Sequence, residues 1–205
     1  PKLYAKPGPD PEAIRQAAEL LKDAKSPLVI TSMVGKNPAA VGELVKLCES
    51  FAIPVTIAIS NLYMNFPTVH PLHLGFDPMK SLGKADVILI IECDVPWFPI
   101  KSQPKVGAKV IQMGIDPFFS RYPIRTFPVD VPISSDPEIG LRSLREALSV
   151  YRSKKRKIIQ ERLERLAKEH HEQRASYKAM AEKHKKDRPI DMEWLSYCVG
   201  RVRDG

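Results

Sequence analysis

Apolar residues fall into two recurring patterns along this chain. Leu28–Thr31, Ile53–Ile59, Val87–Ile91, Ala108–Ile115 and Val129–Ile133 are short runs rich in β-branched residues. Val87–Ile91 has no polar interruption at all, which predicts a strand buried on both faces, as in the middle of a parallel sheet. Between the runs, apolar residues recur every three or four positions. Ile14, Ala17, Ala18 and Leu21 predict a helix over Pro11–Ala24. Val41, Leu44, Val45 and Cys48 predict another over Ala39–Phe51. A last helix is expected over Asp136–Val150. Asp10 before Pro11 and Glu12 has the side chain of an N-cap, and Ser135 or Asp136 caps the last helix.

Strand and helix in alternation imply βαβ units with right-handed crossovers. The expected architecture is α/β: an open, doubly wound parallel sheet of five or six strands, ordered 2-1-3-4-5 or an extension of it. The first and third strands are then neighbours where the strand order reverses. Their exits, Thr31–Lys36 and Glu92–Pro99, should face each other across the crevice where such sheets bind ligands. Ser60–Pro78 reads as a long irregular stretch, and loops of that length are often functional. A short helix is expected at Pro78–Leu82.

From Tyr151 to Lys186 the pattern changes to one long C-terminal helix. Ile159, Leu163, Leu166, His170, Gln173, Tyr177, Met180 and His184 form a narrow stripe on it, half of it polar. Arg188-Pro189 ends this helix, and Ile190–Arg203 reads as a new amphipathic one. The expected organisation is a proline-rich linker at 1–9, an α/β domain at 10–150, a basic connector at 151–188 and a further segment at 189–205.

Charge sharpens this division. The 205 residues carry a formal net charge of +8, and residues 151–188 account for all of it, with 14 Lys/Arg against 6 Asp/Glu. The basic clusters Ser153–Lys157 and Lys183–Arg188 lack interleaved aromatics and a basic body. They read as a solvated connector, and no nucleic-acid partner is expected. Cys48, Cys93 and Cys198 are far apart, which points to a reduced, cytoplasmic protein without a zinc site. No apolar stretch approaches the length of a membrane span and no signal peptide opens the chain. Because the chain starts at Pro1, it is expected to be a piece of something longer.

Candidate chemistry is sparse. His70 and His73 have metal-pair spacing, but Pro71 spoils the helical geometry and no third ligand is near. His170-His171 lacks any motif context. Asp94 beside Cys93 would raise the thiol pKa, so Cys93 reads as structural rather than nucleophilic. Trp97 and Phe98 suit either stacking on a flat ring or packing at a subunit interface.

The order of motifs resembles the central domain of thiamine-diphosphate-dependent enzymes of the acetolactate synthase, pyruvate oxidase and benzoylformate decarboxylase superfamily. The resemblance covers residues 10–150. It rests on Ala24–Ile30, Phe66–Gly75, Ala85-Asp86-Val87 with its strand, Ala108–Pro117 and Val129–Asp136. It implies a Rossmann-like, DHS-type nucleotide-binding fold. It also makes 151–188 the connector and 189–205 the start of a truncated diphosphate-binding domain.

Further implications follow from the family. The parent would be a thiamine-diphosphate and magnesium enzyme acting on 2-keto acids, most nearly acetolactate-synthase-like. Its pyrimidine-binding and diphosphate-binding domains would supply the catalytic groups, so this chain carries no catalytic residue, and the parent would be a homodimer or homotetramer. In some members the central domain holds FAD or ADP. The matching positions here are Thr31, Ser32, Met33 and Gly35 after the first strand, Asp94 after the third, Asp116 after the fourth, and Asp130 with Val131 at the fifth. Gly35 is the single glycine of Thr31–Pro38, where dinucleotide-binding members have several. A second reading of the same sheet is a free-standing NAD-, FAD- or nucleotide-binding module without thiamine chemistry.

Overall fold

The computed structural model describes residues 5–58, 63–125 and 127–204. Pro1–Tyr4 of the expected linker, Ile59 of the expected second strand and Ser60–Leu62 after it lie outside these residues. Five strands form one all-parallel sheet: β1 (Pro27–Thr31), β2 (Val55–Ile57), β3 (Val87–Ile91), β4 (Lys109–Gly114) and β5 (Val131–Ser134). Their order is β2-β1-β3-β4-β5, so the α/β, doubly wound architecture is the one expected. The expected second strand is shorter at its start, because Pro54 offers no N–H and only its carbonyl joins the ladder, to Val29. The fifth begins later than expected. The Asp130 carboxylate takes the Val110 N–H that a longer ladder would use, at 2.8 Å.

Helices α1 (Pro11–Asp23), α2 (Pro38–Phe51) and α4 (Pro137–Ser149) pack on one face of the sheet. Their apolar faces meet Val29, Val55, Leu89, Ile91, Ile111, Met113, Val131 and Ile133. Asp10, Asn37 and Asp136 cap the three helices, each followed by a proline in the first turn. The other face is covered more thinly. Leu28, Ile30, Ile88, Ile90 and Val110 lie beneath Trp97, Phe127, and Leu82 of the one-turn helix α3 (Met79–Leu82). That face is roofed by connections rather than by long helices.

The long helix divides as expected but starts later. Tyr151–Lys155 are turns, α5 runs from Arg156 to Lys183, and α6 from Met192 to Asp204. Alongside β2, on the side away from β1, Leu72–Gly75 adds a short parallel segment. Val55 N–H donates to Leu72 O at 2.8 Å, Leu74 N–H to Val55 O at 2.8 Å, and Ile57 N–H to Gly75 O at 3.0 Å. This segment would leave an open sheet edge, and α5 closes it. His170 donates from Nδ1 to His73 O at 2.8 Å, and Gln173 donates to Leu74 O at 3.3 Å. His170 and Gln173, two of the polar residues of the helix stripe, therefore satisfy main-chain carbonyls of the edge. Arg162, one turn before Leu166, donates to Ala24 O at 2.7 Å and to Phe51 O at 3.1 Å. It thereby joins the C-terminal ends of α1 and α2.

Behind this seam His73 is 3 % exposed, stacked on Phe66 and edge-on to Phe76. Its Nδ1 accepts from Gly75 N–H, and its Nε2 is buried without a partner. Burial, reinforced by nearby His170, Arg174 and His70, pushes its pKa down to about 4. A histidine held neutral by the fold contributes stability that is complete above its unfolded pKa of about 6.5. That stability is lost as the pH falls from there towards 4, because the unfolded chain then binds the extra proton. After allowance for solvent screening the loss should reach about 2 kcal/mol. Urea midpoints measured from pH 7 to pH 4.5 should fall more steeply for the native chain than for His73→Gln. Equal slopes would remove His73 from the account.

Candidate functional site

The carboxyl ends of β1, β3 and β4 meet at Thr31, Ile91 and Gly114, where the strand order reverses. Glu92, the first residue beyond β3, links all three exits. Its carbonyl accepts from Met33 N–H at 3.0 Å and from Ser32 Oγ at 3.2 Å. Its carboxylate accepts from Ile115 N–H at 3.0 Å. A Cβ at Gly114 would stand 2.6 Å from that carboxylate, so a side chain on this last residue of β4 would displace the Glu92 carboxylate. Glu92 has φ of 43°, a left-handed backbone that an L-residue adopts at a cost and keeps only where its surroundings enforce it. The sequence marked Glu92 as the residue that ends an apolar run and opens the exit facing the crevice, without showing what it binds.

A strap of chain, Tyr63–Phe66, lies over the β1 exit. Asn65 is fully buried there. Its amide nitrogen donates to Ser32 O at 2.8 Å and Tyr63 O at 2.9 Å, while its oxygen accepts from Gly35 N–H at 3.0 Å. A Cβ on Gly35 would come within 2.5 Å of Met64 O and 2.8 Å of Tyr63 Cβ. Gly35 is therefore glycine because main chain crosses it closely. Thr31 and Ser32 are buried beneath the same strap.

A dinucleotide phosphate needs free N–H groups in this turn and at the start of the following helix. Here the N–H of Met33 goes to Glu92, that of Gly35 to Asn65, that of Lys36 to Met33 O and that of Asn37 to Val34 O. At the start of α2, Pro38 has no N–H, Ala39 donates to the Asn37 side chain, and Ala40 donates to Asn37 O. The Glu138 carboxylate also stands 3.4 Å from the Asn37 amide, adding negative charge to the turn. These N–H groups are not free to hold the pyrophosphate of FAD or ADP.

The remaining expected residues divide between the two ends of the sheet. Asp94 lies beyond β3, where its carboxylate accepts from Val95 N–H at 2.8 Å and from Tyr122 Oη at 3.0 Å. That bond pushes the Tyr122 hydroxyl pKa above its usual value. Asp116 lies beyond β4 and closes its own turn, accepting from Ser120 N–H at 2.7 Å and Oγ at 2.8 Å. The Ser120 hydroxyl holds the Asp116 carboxyl below its usual range. An open cavity of about 770 Å³ borders Asp116, lined also by Asp10, Ile115, Phe118, Ser120 and Arg121. Asp130 and Val131 stand at the opposite, amino end of the sheet, with Asp130 paired to Lys109 at 2.7 Å. The structure does not bring them to the crevice.

Other candidates have structural roles. Trp97 is 3 % exposed and meets Phe127 edge-on, as part of the second core. Cys93 is fully buried, and burial pushes its thiol up to about 12, far from the thiolate a nucleophile needs. His70 accepts from Leu72 N–H and sits beside Glu49, away from any metal-binding arrangement. Among the described residues no three His, Cys, Asp or Glu side chains converge to hold a metal ion, so no magnesium chemistry is derived from them. None of the described helices is long and apolar enough to cross a membrane.

The comparisons with known proteins agree with this architecture. The family described as thiamine pyrophosphate enzyme, central domain, matches residues 14–144. A sulfoacetaldehyde acetyltransferase of Roseovarius nubinhibens is 30% identical over 132 residues, covering 57% of this chain and 22% of its own length. A Methanocaldococcus jannaschii protein named "Probable acetolactate synthase large subunit" is 28% identical over 173 residues, covering 77% of this chain and 28% of its own. The chain thus spans less than a third of either relative. In fold, it resembles the benzoylformate decarboxylase of Polynucleobacter necessarius, with a TM-score of 0.62 and 22% identity over 72% of this chain and 29% of that one. The family match covers the sheet from α1 to α4, the same unit that the switch point and its three exits define. The chain belongs to the family of thiamine pyrophosphate enzyme central domains.

Proposed function

We propose that this chain serves, within a thiamine-diphosphate-dependent enzyme acting on 2-keto acids, as a scaffold domain rather than a nucleotide holder. The parent reaction is acetolactate-synthase-like joining or splitting of a carbon–carbon bond beside a keto group. Thiamine diphosphate, when bound, supplies the carbon nucleophile and electron sink for such chemistry. The names of the two sequence relatives support a transferase of this kind. The observation that carries the scaffold reading is the β1 exit, where the N–H groups of Met33, Gly35, Lys36 and Asn37 already donate to Glu92, Asn65 and their own turn. In this reading Thr31, Ser32, Met33 and Gly35 form a sealed lip. The partners are the pyrimidine-binding and diphosphate-binding domains of the parent, in a dimer or tetramer. Fully exposed Ile100 and Val106, on the β3–β4 connection, suit a contact with them.

An absorbance scan and native mass spectrum of the purified chain, with and without FAD, ADP and NAD at millimolar concentration, test the scaffold reading. No flavin band and no adduct are expected. Saturable uptake of FAD or ADP would overturn it. The parent polypeptide, supplied with thiamine diphosphate, magnesium and pyruvate, should form acetolactate; pyruvate left unconsumed would overturn that assignment.

A further inference from the structure

We propose that Arg125 is the recognition group of an oxyanion site at the carboxyl end of the sheet, taking the carboxylate or phosphate group of a small ligand. Its guanidinium carbon lies 5.2 Å from the ring centroids of both Phe119 and Phe127. Nη2 donates to Gln112 Oε1 at 3.1 Å. Gln112 is fully buried on β4 and is itself fixed by a bond from its Nε2 to Cys93 O at 3.3 Å. Phe127 is held edge-on by the buried Trp97. The arginine is thus fixed in place by two rings and an amide, with no carboxylate within ion-pair distance among the described residues.

That arrangement leaves donors unused. Among the described residues, buried Nε has no partner and Nη1 makes no hydrogen bond. A partly buried guanidinium with unsatisfied donors is costly, and the usual explanation for such a group is an ion or ligand that completes it. The planar fork of arginine matches the two oxygens of a carboxylate or phosphate. Cation–π contact fixes the plane of the fork without using its N–H groups.

A second observation comes from the loop that carries the site. Phe119 has φ of 49°, a left-handed conformation unfavourable for a bulky residue, and its ring is one of the two against Arg125. Strain of this kind persists where the surroundings enforce it, and it concentrates at ligand clamps. Asp94 and Asp116 lie near enough to act on Arg125 through space. Their carboxylates are committed to Val95 and Tyr122, and to Ser120. The position is also the expected one, since open α/β sheets bind ligands beyond their strand carboxyl ends.

The test uses the full 205-residue chain carrying Trp194→Phe, so that Trp97, against Phe127, is its sole tryptophan reporter. Sodium phosphate, acetate and chloride are titrated at constant ionic strength, following fluorescence and the thermal midpoint. Phosphate or acetate should saturate at a concentration about tenfold or more below chloride. Arg125→Lys should weaken that response about tenfold, because it keeps the charge and loses the fork. Arg125→Gln should abolish it. Preference for phosphate over acetate assigns a phosphoryl ligand, and the reverse assigns a carboxylate. Equal responses to all three anions, or an unchanged response in a folded Arg125→Lys chain, would overturn the site and reduce Arg125 to a prop between two rings.

Discussion

Arg162→Ala is expected to lower the unfolding free energy by about 3 kcal/mol, a loss comparable to that of a truncated core side chain. Arg162 is 7 % exposed, and its guanidinium serves two carbonyls from different helix ends. Ala24 caps the C-terminus of α1, and Phe51 is the last residue of α2. Both carbonyls are among those that an α-helix cannot satisfy internally, and both lie at the negative end of a helix dipole, where a cation is favoured. Alanine would strand the two carbonyls beneath α5, at about 1–3 kcal/mol for each buried unsatisfied group, partly relieved by entering water. Lysine should recover less than half, since one ammonium cannot reproduce the span of the fork. Urea unfolding followed by circular dichroism measures the loss, and amide exchange along α5 locates it. A change below about 0.5 kcal/mol would mean that α5 is held by its apolar contacts alone.

Gly35→Ala should cost about 2 kcal/mol even though alanine is ordinarily the better residue in a helical turn. The reason lies outside the turn. The added methyl would meet the carbonyl of Met64, which is main chain and cannot rotate aside. The strap must lift, and lifting it strains the three bonds of Asn65. Asn65→Asp is a companion test. It retains the acceptor for Gly35 N–H but turns an oxygen towards the carbonyls of Ser32 and Tyr63, so it should destabilise at least as much as Asn65→Ala. Thermal midpoints at pH 7 measure all three variants. A Gly35→Ala chain as stable as the native one would show that the strap gives way freely, and the β1 exit would then be open to ligands after all.

Gly35 marks the boundary between what is legible in this sequence and what is not. The sheet was legible because strands buried on both faces need unbroken apolar runs, and Val87–Ile91 is such a run. Helices α1, α2 and α4 were legible from caps and periodicity together. A lone glycine after β1 carries no such redundancy. Close approach of a phosphate and close approach of Met64 demand the same residue, and only the path of Tyr63–Phe66 distinguishes them. Asn65, Arg125 and Arg162 were silent for a related reason. Each satisfies groups at least 13 residues away, apart from the nearby bond of Asn65 to Tyr63, and sequence patterns report neighbours. The half-polar stripe of α5 was visible, but not its purpose. Two of its polar members, His170 and Gln173, face carbonyls of an edge segment too short to show as a strand.

The seam between α5 and the sheet edge bears on how such enzymes exchange parts. Ala24, Phe51, His73 and Leu74 all lend carbonyls to side chains of a helix that sequence alone would class as a tether. A recombination boundary placed after α4 would transplant a sheet with its flank uncovered, ready to pair with any extended chain it met. The inheritable module is therefore the sheet together with its connector, and a graft that respects the boundary near His184 keeps both.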